Sequence, residues 1–243
     1  MTDTDPASPL APLVTGADAV SPPGRPWRPV VVFDLDGTLV DTIDLILASY
    51  QHAFRTVLGA EQDEALVRSW IGQPLIRGLR EHWPDRADEL FATYIAWNRA
   101  HTAELIRSYA GVTEVLADLA AAGVQIAVAT SKLRDAAQLC ADLVGVTPHV
   151  QVIVALEDTD EHKPHPAPLL AALARLGAHP GAAVYVGDAV VDVEAAQAAG
   201  MASVAVTWGA AQRAQLEAVG PDRVVDSAQQ LRDALLPSGP RPS

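Results

Sequence analysis

The feature that most constrains this chain is a repeating alternation in its second half. From Gly111 onward, short apolar runs of strand length are each followed by a stretch with helical periodicity. The spacing predicts helices over 113–121, 133–144, 166–176, 195–199, 211–219 and 228–236. It predicts strands over 124–129, 150–155, 183–186 and 203–206, with a short one near Val224. Strands separated by helices cannot pair as tight hairpins, so they assemble side by side as a doubly wound parallel sheet, an α/β fold. In such a sheet ligands collect beyond the carboxyl ends of the strands.

A further strand precedes this region. The stretch from Val30 to Thr42 reads VVVFDLDGTLVDT: a buried β-branched run that stops at two aspartates one residue apart, followed by Gly and Thr. Side chains alternate along a strand, so Asp34 and Asp36 point the same way if the extended geometry carries past Phe33. Two acids held together at the end of a buried strand repel and lose hydration, and a divalent cation is the simplest offset. One carboxylate can then serve as a nucleophile and the other as a proton shuttle. Gly37 lets the backbone turn, and its N–H with that of Thr38 is placed to meet an anion. Asp-Gly alone is ordinary turn chemistry, but a turn requires neither the first Asp nor the Thr.

Between this strand and the alternating half the pattern is helical throughout. Asp41 is a candidate cap for a helix carrying Leu45, Ile46, Tyr50, Ala53, Phe54 and Val57 at helical spacing, with Gly59 as its stop. Residues 64–71, 74–82 and 88–107 continue in the same way. An all-helical insert between two strands of one sheet is a candidate lid. The expected organisation is a core of residues 28–42 and 111–237, a helical cap over 43–110, and disordered tails at 1–27 and 238–243.

Three other strand ends carry polar groups. QIAVA runs into Thr130-Ser131-Lys132 ahead of a helix, where a hydroxyl and backbone N–H groups suit phosphate oxygens or simply cap the helix. After VIVALED, Lys163 is bracketed by His162, Pro164, His165 and Pro166. The prolines fix its place, and a fixed ammonium neutralises a phosphoryl group or an aspartate pair. The two histidines lack the further ligands zinc would need. AVYV ends in Gly187-Asp188, with Asp192 four residues on, so both carboxylates can face the sheet end. Asp188 with Asp34 and the Asp36 carbonyl makes an oxygen-rich set of the kind Mg²⁺ prefers. Asp192 also suits a helix N-terminus through the macrodipole.

These four strand ends, in this order, resemble the motifs of the haloacid-dehalogenase superfamily of phosphohydrolases. The resemblance covers residues from Val30 to about Leu236. The position of the insert and the string Ile71-Gly72-Gln73-Pro74-Leu75 resemble the subgroup of phosphoglycolate phosphatases and related inorganic pyrophosphatases. What the resemblance implies is an in-line attack by Asp34, an aspartyl-phosphate intermediate, and acid/base catalysis by Asp36. It implies Mg²⁺ held by Asp34, the Asp36 carbonyl and Asp188, with Asp192 direct or through water. It implies phosphoryl contacts from Thr130 and Lys163, with Ser131 and the Gly37 N–H beside them, and a cap loop at Gly72 facing the site. Arg77, a cationic residue of the insert, is a candidate partner for a substrate carboxylate or an ordinary surface residue. Asp36 weighs against a dehalogenase, which protonates no leaving oxygen. The sequence departs from the pattern at Ala189, where Ser or Thr is usual, and at Ala110, where proline is frequent.

Composition narrows the partners. Basic residues number 17 against 30 acidic, a net charge of −13 with no basic run, which argues against nucleic acid. A small phosphorylated metabolite or pyrophosphate must therefore rely on local cations. No run of about eighteen apolar residues predicts a membrane span. The single Cys140 excludes an internal disulfide and reads as a packed thiol. The expectation is a cytoplasmic monomer or homodimer. A non-catalytic, phosphate-responsive binding module is the rival reading; receiver domains share the Asp, Thr, Lys and Mg²⁺ but lack an inserted cap.

Overall fold

A computed structural model describes residues 27–236. The expected disordered tails lie outside the described residues, with one exception. Trp27 is docked: its N–H donates to Leu235 O at 2.9 Å, and Arg223 stacks over its ring at 4.1 Å. The indole covers the edge of the core, so it does not belong to a tail.

The chain runs β1 (Val30–Phe33), β2 (Val40–Asp41), α1 (Ile43–Leu58), α2 (Glu64–Arg68), α3 (Leu75–His82), α4 (Ala87–Leu105) and β3 (Arg107–Ser108). It continues α5 (Val112–Ala121), β4 (Gln125–Ala129), α6 (Arg134–Leu143), β5 (Val152–Val154), α7 (Ala167–Leu176) and β6 (Ala183–Gly187). It ends α8 (Val190–Ala199), β7 (Ala202–Val206), α9 (Arg213–Ala218), β8 (Arg223–Val225) and α10 (Ala228–Leu235). Six strands form one parallel sheet in the order β5-β4-β1-β6-β7-β8. The order reverses on either side of β1, so β1 ends at the switch point where such sheets bind ligands.

The period of two along β1 sorts its side chains between two cores. Val31 and Phe33 pack with Leu116, Leu119 and Cys140 on one face. Val30 and Val32 pack with Leu169, Leu173 and Tyr185 on the other. Both faces are covered, which is why the strands read as continuous apolar runs. Cys140 is fully buried there, and burial pushes its thiol up to about 11.

Helices α1 to α4 form an inserted all-α unit with a core of its own, built around Tyr50, Phe54, Leu79, Leu90 and Tyr94. The Tyr50 and Tyr94 rings meet edge to face at 4.8 Å. Complete burial of Phe54 stabilises this unit by about 1.5–3 kcal/mol. Gly59 stops α1 in the left-handed region at φ 79°, as expected.

Two local expectations are corrected. Asp41 does not cap α1: it pairs with Arg107 in the antiparallel ribbon β2-β3, and Thr42 precedes the helix without a side-chain cap. Helix α4 accordingly ends at Leu105, short of 107. A two-residue strand has too little length to show periodicity, so this ribbon at the root of the helical unit was invisible in sequence.

Candidate active site

Asp34 follows the last residue of β1, and its N–H extends the ladder to Val186 O at 2.8 Å. The side chain is 2% exposed. Around it the sheet topology gathers Thr130 from the end of β4, Lys163 from the loop after β5, and Asp188 from the end of β6, all buried.

Lys163 is the hub of the buried charges. Its Nζ lies 2.9 Å from Asp34 Oδ1 and 2.7 Å from Asp192 Oδ1, and donates to Tyr185 Oη at 3.1 Å. Tyr185 in turn donates to Ala129 O at 2.9 Å, which ties the lysine to the sheet. Burial opposes the ammonium, but Asp192 and Asp34 more than offset it, and the Lys163 pKa is held well above its usual value. The same burial pushes the Asp34 carboxyl well up, with Lys163 opposing and Asp192 and Asp188 adding to the rise.

Asp188 is fixed from several directions. Thr38 Oγ1 donates to its Oδ1 at 2.7 Å, and the Ala210 N–H donates to Oδ2 at 2.7 Å. Two glycines make room for it. A Cβ on Gly37, which sits at φ 79°, would fall 2.2 Å from Asp188 Oδ2, and one on Gly209 would fall 2.1 Å away. Burial and then repulsion from Asp192 raise the Asp188 carboxyl to about 7.

Asp192 accepts the N–H groups of Asp188 and Ala189 on Oδ2, at 3.2 and 3.0 Å, and serves Lys163 with Oδ1. Ala189, which cannot cap α8 with a side chain, is thereby compensated from inside the helix. Its methyl instead lies under the cap, 3.0 Å from where a Cβ on Gly72 would stand.

Asp36 is the more open acid, and Lys132 Nζ pairs with its Oδ1 at 2.9 Å. Burial works against the Lys132 ammonium, but Asp36, with smaller contributions from its other anionic neighbours, offsets it, and the pKa is raised. This partner was missed in sequence; it stood in view as the third residue of Thr130-Ser131-Lys132, with no local sign of where a long side chain would reach. Helix α6 starts after Leu133, so Thr130 does not cap it. Its hydroxyl accepts the Lys132 N–H at 3.2 Å and lines the cleft. Ser131 Oγ donates to Gly72 O at 2.9 Å, joining the sheet end to the cap loop.

Two expected substrate contacts are not brought to the cleft. The Gly37 N–H donates to Val40 O at 2.8 Å and that of Thr38 to Leu35 O at 3.3 Å, so both serve the turn and not an anion. Arg77 is exposed on α3 and does not line the cleft.

The donor set suits a divalent cation. Carboxylate oxygens of Asp34, Asp188 and Asp192 lie within 4.8 Å of one another, and all three residues are buried. Three buried carboxylates face a single ammonium, and Asp34 Oδ1 has the ion pair with Lys163 but no aligned hydrogen-bond donor. Hard oxygen ligands and excess negative charge fit a hard divalent cation. His162 and His165 are not part of this cluster.

Residues 31–206 match the family described as haloacid dehalogenase-like hydrolase. The chain is 35% identical over 201 residues to a protein of Bacillus velezensis named pyrophosphatase PpaX, covering 83% of this chain and 93% of that one. It is 34% identical over 205 residues to the PpaX of Halalkalibacterium halodurans, covering 84% and 95%. A haloacid dehalogenase-like hydrolase from Bacteroides fragilis superposes with a TM-score of 0.78 at 24% identity, covering 84% of this chain and 99% of that one. A crystal structure described as a predicted phosphoglycolate phosphatase from Haemophilus somnus superposes with a TM-score of 0.76 at 26% identity, covering 84% and 96%. No described helix is long and apolar enough to cross a membrane.

Proposed function

The chain belongs to the haloacid dehalogenase-like hydrolases and is a phosphatase of that family, and from this premise we propose a Mg²⁺-dependent phosphohydrolase that works through an aspartyl-phosphate on Asp34. The observation that carries the reading is the pairing of two acids in different settings: Asp34 is buried against Lys163, while Asp36 faces the cleft against Lys132. Environments that separate two carboxylates separate their roles.

In this mechanism Asp34 attacks phosphorus in line with the leaving oxygen, and Asp36 gives that oxygen its proton. The phosphoryl group is then on Asp34, and Asp36 takes a proton from the water that releases phosphate. Thr130, Ser131 and Lys132 line the cleft where the phosphoryl oxygens would sit. Lys163 holds Asp34 in place and neutralises part of its charge. Asp34, Asp188 and the Asp36 carbonyl would hold Mg²⁺, with Asp192 behind them because both its oxygens already serve Lys163 and the α8 turn. Bound there, the cation supplies charge stabilisation for the phosphoryl group, the dominant need in this chemistry. The cap, closing over the cleft, excludes bulk water.

The test is phosphate release with Mg²⁺, together with hydroxylamine trapping of the acyl phosphate and peptide mass spectrometry. A hydroxamate at Asp34 is expected; turnover with no modification there, or undiminished turnover by Asp34→Asn, would sink the mechanism. A pyrophosphatase is the second reading, favoured by the names of the relatives from Bacillus velezensis and Halalkalibacterium halodurans. A screen of 2-phosphoglycolate, pyrophosphate and sugar phosphates separates the two.

A further inference from the structure

The wall facing Asp34 and Asp36 across the cleft comes from the inserted helices and their connecting loop, and it is built mainly of Ile46, Tyr50, Trp70, Phe91, Tyr94 and Ile95. Its polar groups are few and neutral. Asn98 is held by donating to Ser49 Oγ at 2.9 Å and to Tyr94 Oη at 3.4 Å, and Gln73 stands at the edge. Among the residues lining this cleft Lys132 is the one cation; it belongs to the sheet side and is already paired with Asp36. Arg68 lines the neighbouring groove on the far side of Ile71 and Gln73, with its guanidinium on Glu64 at 3.1 Å. Arg77 is exposed and outside the cleft.

The charges of the site are thus all on the side that receives the phosphoryl group. The side that receives the leaving group offers aromatic and branched apolar surface with one fixed amide. A leaving group carrying its own charge, such as the second phosphate of pyrophosphate or the carboxylate of phosphoglycolate, would be desolvated there without a counter-charge. An uncharged ring or branched chain would replace water against apolar side chains and gain from it.

Resting on the phosphatase reading above, we propose that the preferred substrates are phosphate monoesters whose leaving alcohol is uncharged and aromatic or branched apolar. The cap then selects against anionic leaving groups. This separates the chain from the activity named for its pyrophosphatase relatives, although the sheet-side residues suit the same first step.

The experiment compares kcat/KM with Mg²⁺ for benzyl phosphate, 2-phosphoglycolate and pyrophosphate, with acetyl phosphate as a control whose small leaving group asks little of the cap. Benzyl phosphate should exceed both anionic substrates by at least about tenfold. Ile95→Lys, which adds a cation to the wall, should shrink that ratio by about tenfold; Phe91→Arg is the second variant should the first melt early. A ratio near one, or a preference for pyrophosphate or phosphoglycolate, overturns the inference while Asp34-dependent turnover of acetyl phosphate keeps the phosphatase reading. Absence of Asp34-dependent turnover of acetyl phosphate and of all three others overturns both.

Discussion

Lys163 holds Asp34 at 2.9 Å with both side chains shut away from solvent, so the candidate nucleophile and its counter-charge are buried as one unit. The same ammonium lies 2.7 Å from Asp192. Lys163→Met would leave the two buried carboxylates of Asp34 and Asp192 without their counter-charge. Removing one member of a buried ion pair costs about 3–5 kcal/mol, so urea unfolding of Lys163→Met should show a loss of that size alongside lost activity. An unchanged midpoint would mean that the lysine serves only the substrate.

Asp36 and Asp34 should fail differently. Asp34→Asn removes the attacking oxygen and should abolish turnover of every phosphate substrate. Asp36→Asn should lower the single-turnover rate at which alkyl phosphates phosphorylate Asp34 by about 10²–10⁴, the usual range for a lost general acid, but that for acetyl phosphate much less, because its acetate leaves without a proton; the later water step slows for both. Equal losses on both substrate types would argue against proton delivery by Asp36.

Mg²⁺ should stabilise the protein more at pH 8 than at pH 5.5. The Asp188 carboxyl is raised to about 7 from an ordinary value of 3.8. Between these values the folded state holds more protons than the unfolded state, so this group's contribution to stability falls as pH rises through the window and levels off above about 7. The cation needs the ionised form and restores what is lost, by about 2.7 kcal/mol at a hundredfold excess over Kd. Thermal melts with Mg²⁺ and with EDTA at the two pH values measure it; an equal shift at both would contradict the assignment of Asp188.

Gly209→Ala should weaken the cation site without replacing any charged residue. Its Cβ would stand 2.1 Å from Asp188 Oδ2, closer than any packing allows, so either the carboxylate or the loop must move. Displacing a residue that orients a ligand typically costs 10–100-fold in metal affinity, and the Mg²⁺ concentration for half-maximal activity should rise accordingly. A wild-type Mg²⁺ titration would show that Asp188 is free to shift.

The strand-and-helix alternation after Gly111 and the acids at the end of VVVF were legible because both are local. Periodicity states which face of an element is buried, and an acid ending an apolar run is conspicuous wherever it lies. Thr130 and Asp188 were legible for the same reason, since each directly follows a strand of a parallel sheet and therefore lies at one end of it, and Lys163 because the prolines around it mark the loop after β5. The β2-β3 ribbon was not, because two residues carry no period. For Arg77 and Gly37, position and hydrogen-bond partner decided the matter: Arg77 is exposed on α3 and does not line the cleft, and the Gly37 N–H is spent on its own turn.

The sequence alone therefore determined the sheet, the helical insert and the types of group at each strand end. The partnerships came only with the tertiary structure: Lys132 with Asp36 across 96 positions, Lys163 between Asp34 and Asp192, and Asp188 in the gap left by Gly37 and Gly209. The reach of a long side chain and the absence of a Cβ acquire meaning only against neighbours distant in sequence. The uncharged wall over the cleft is of this kind too, since it is assembled from α1, α4 and the loop between α2 and α3, none of which reveals by its own pattern that it faces Asp34.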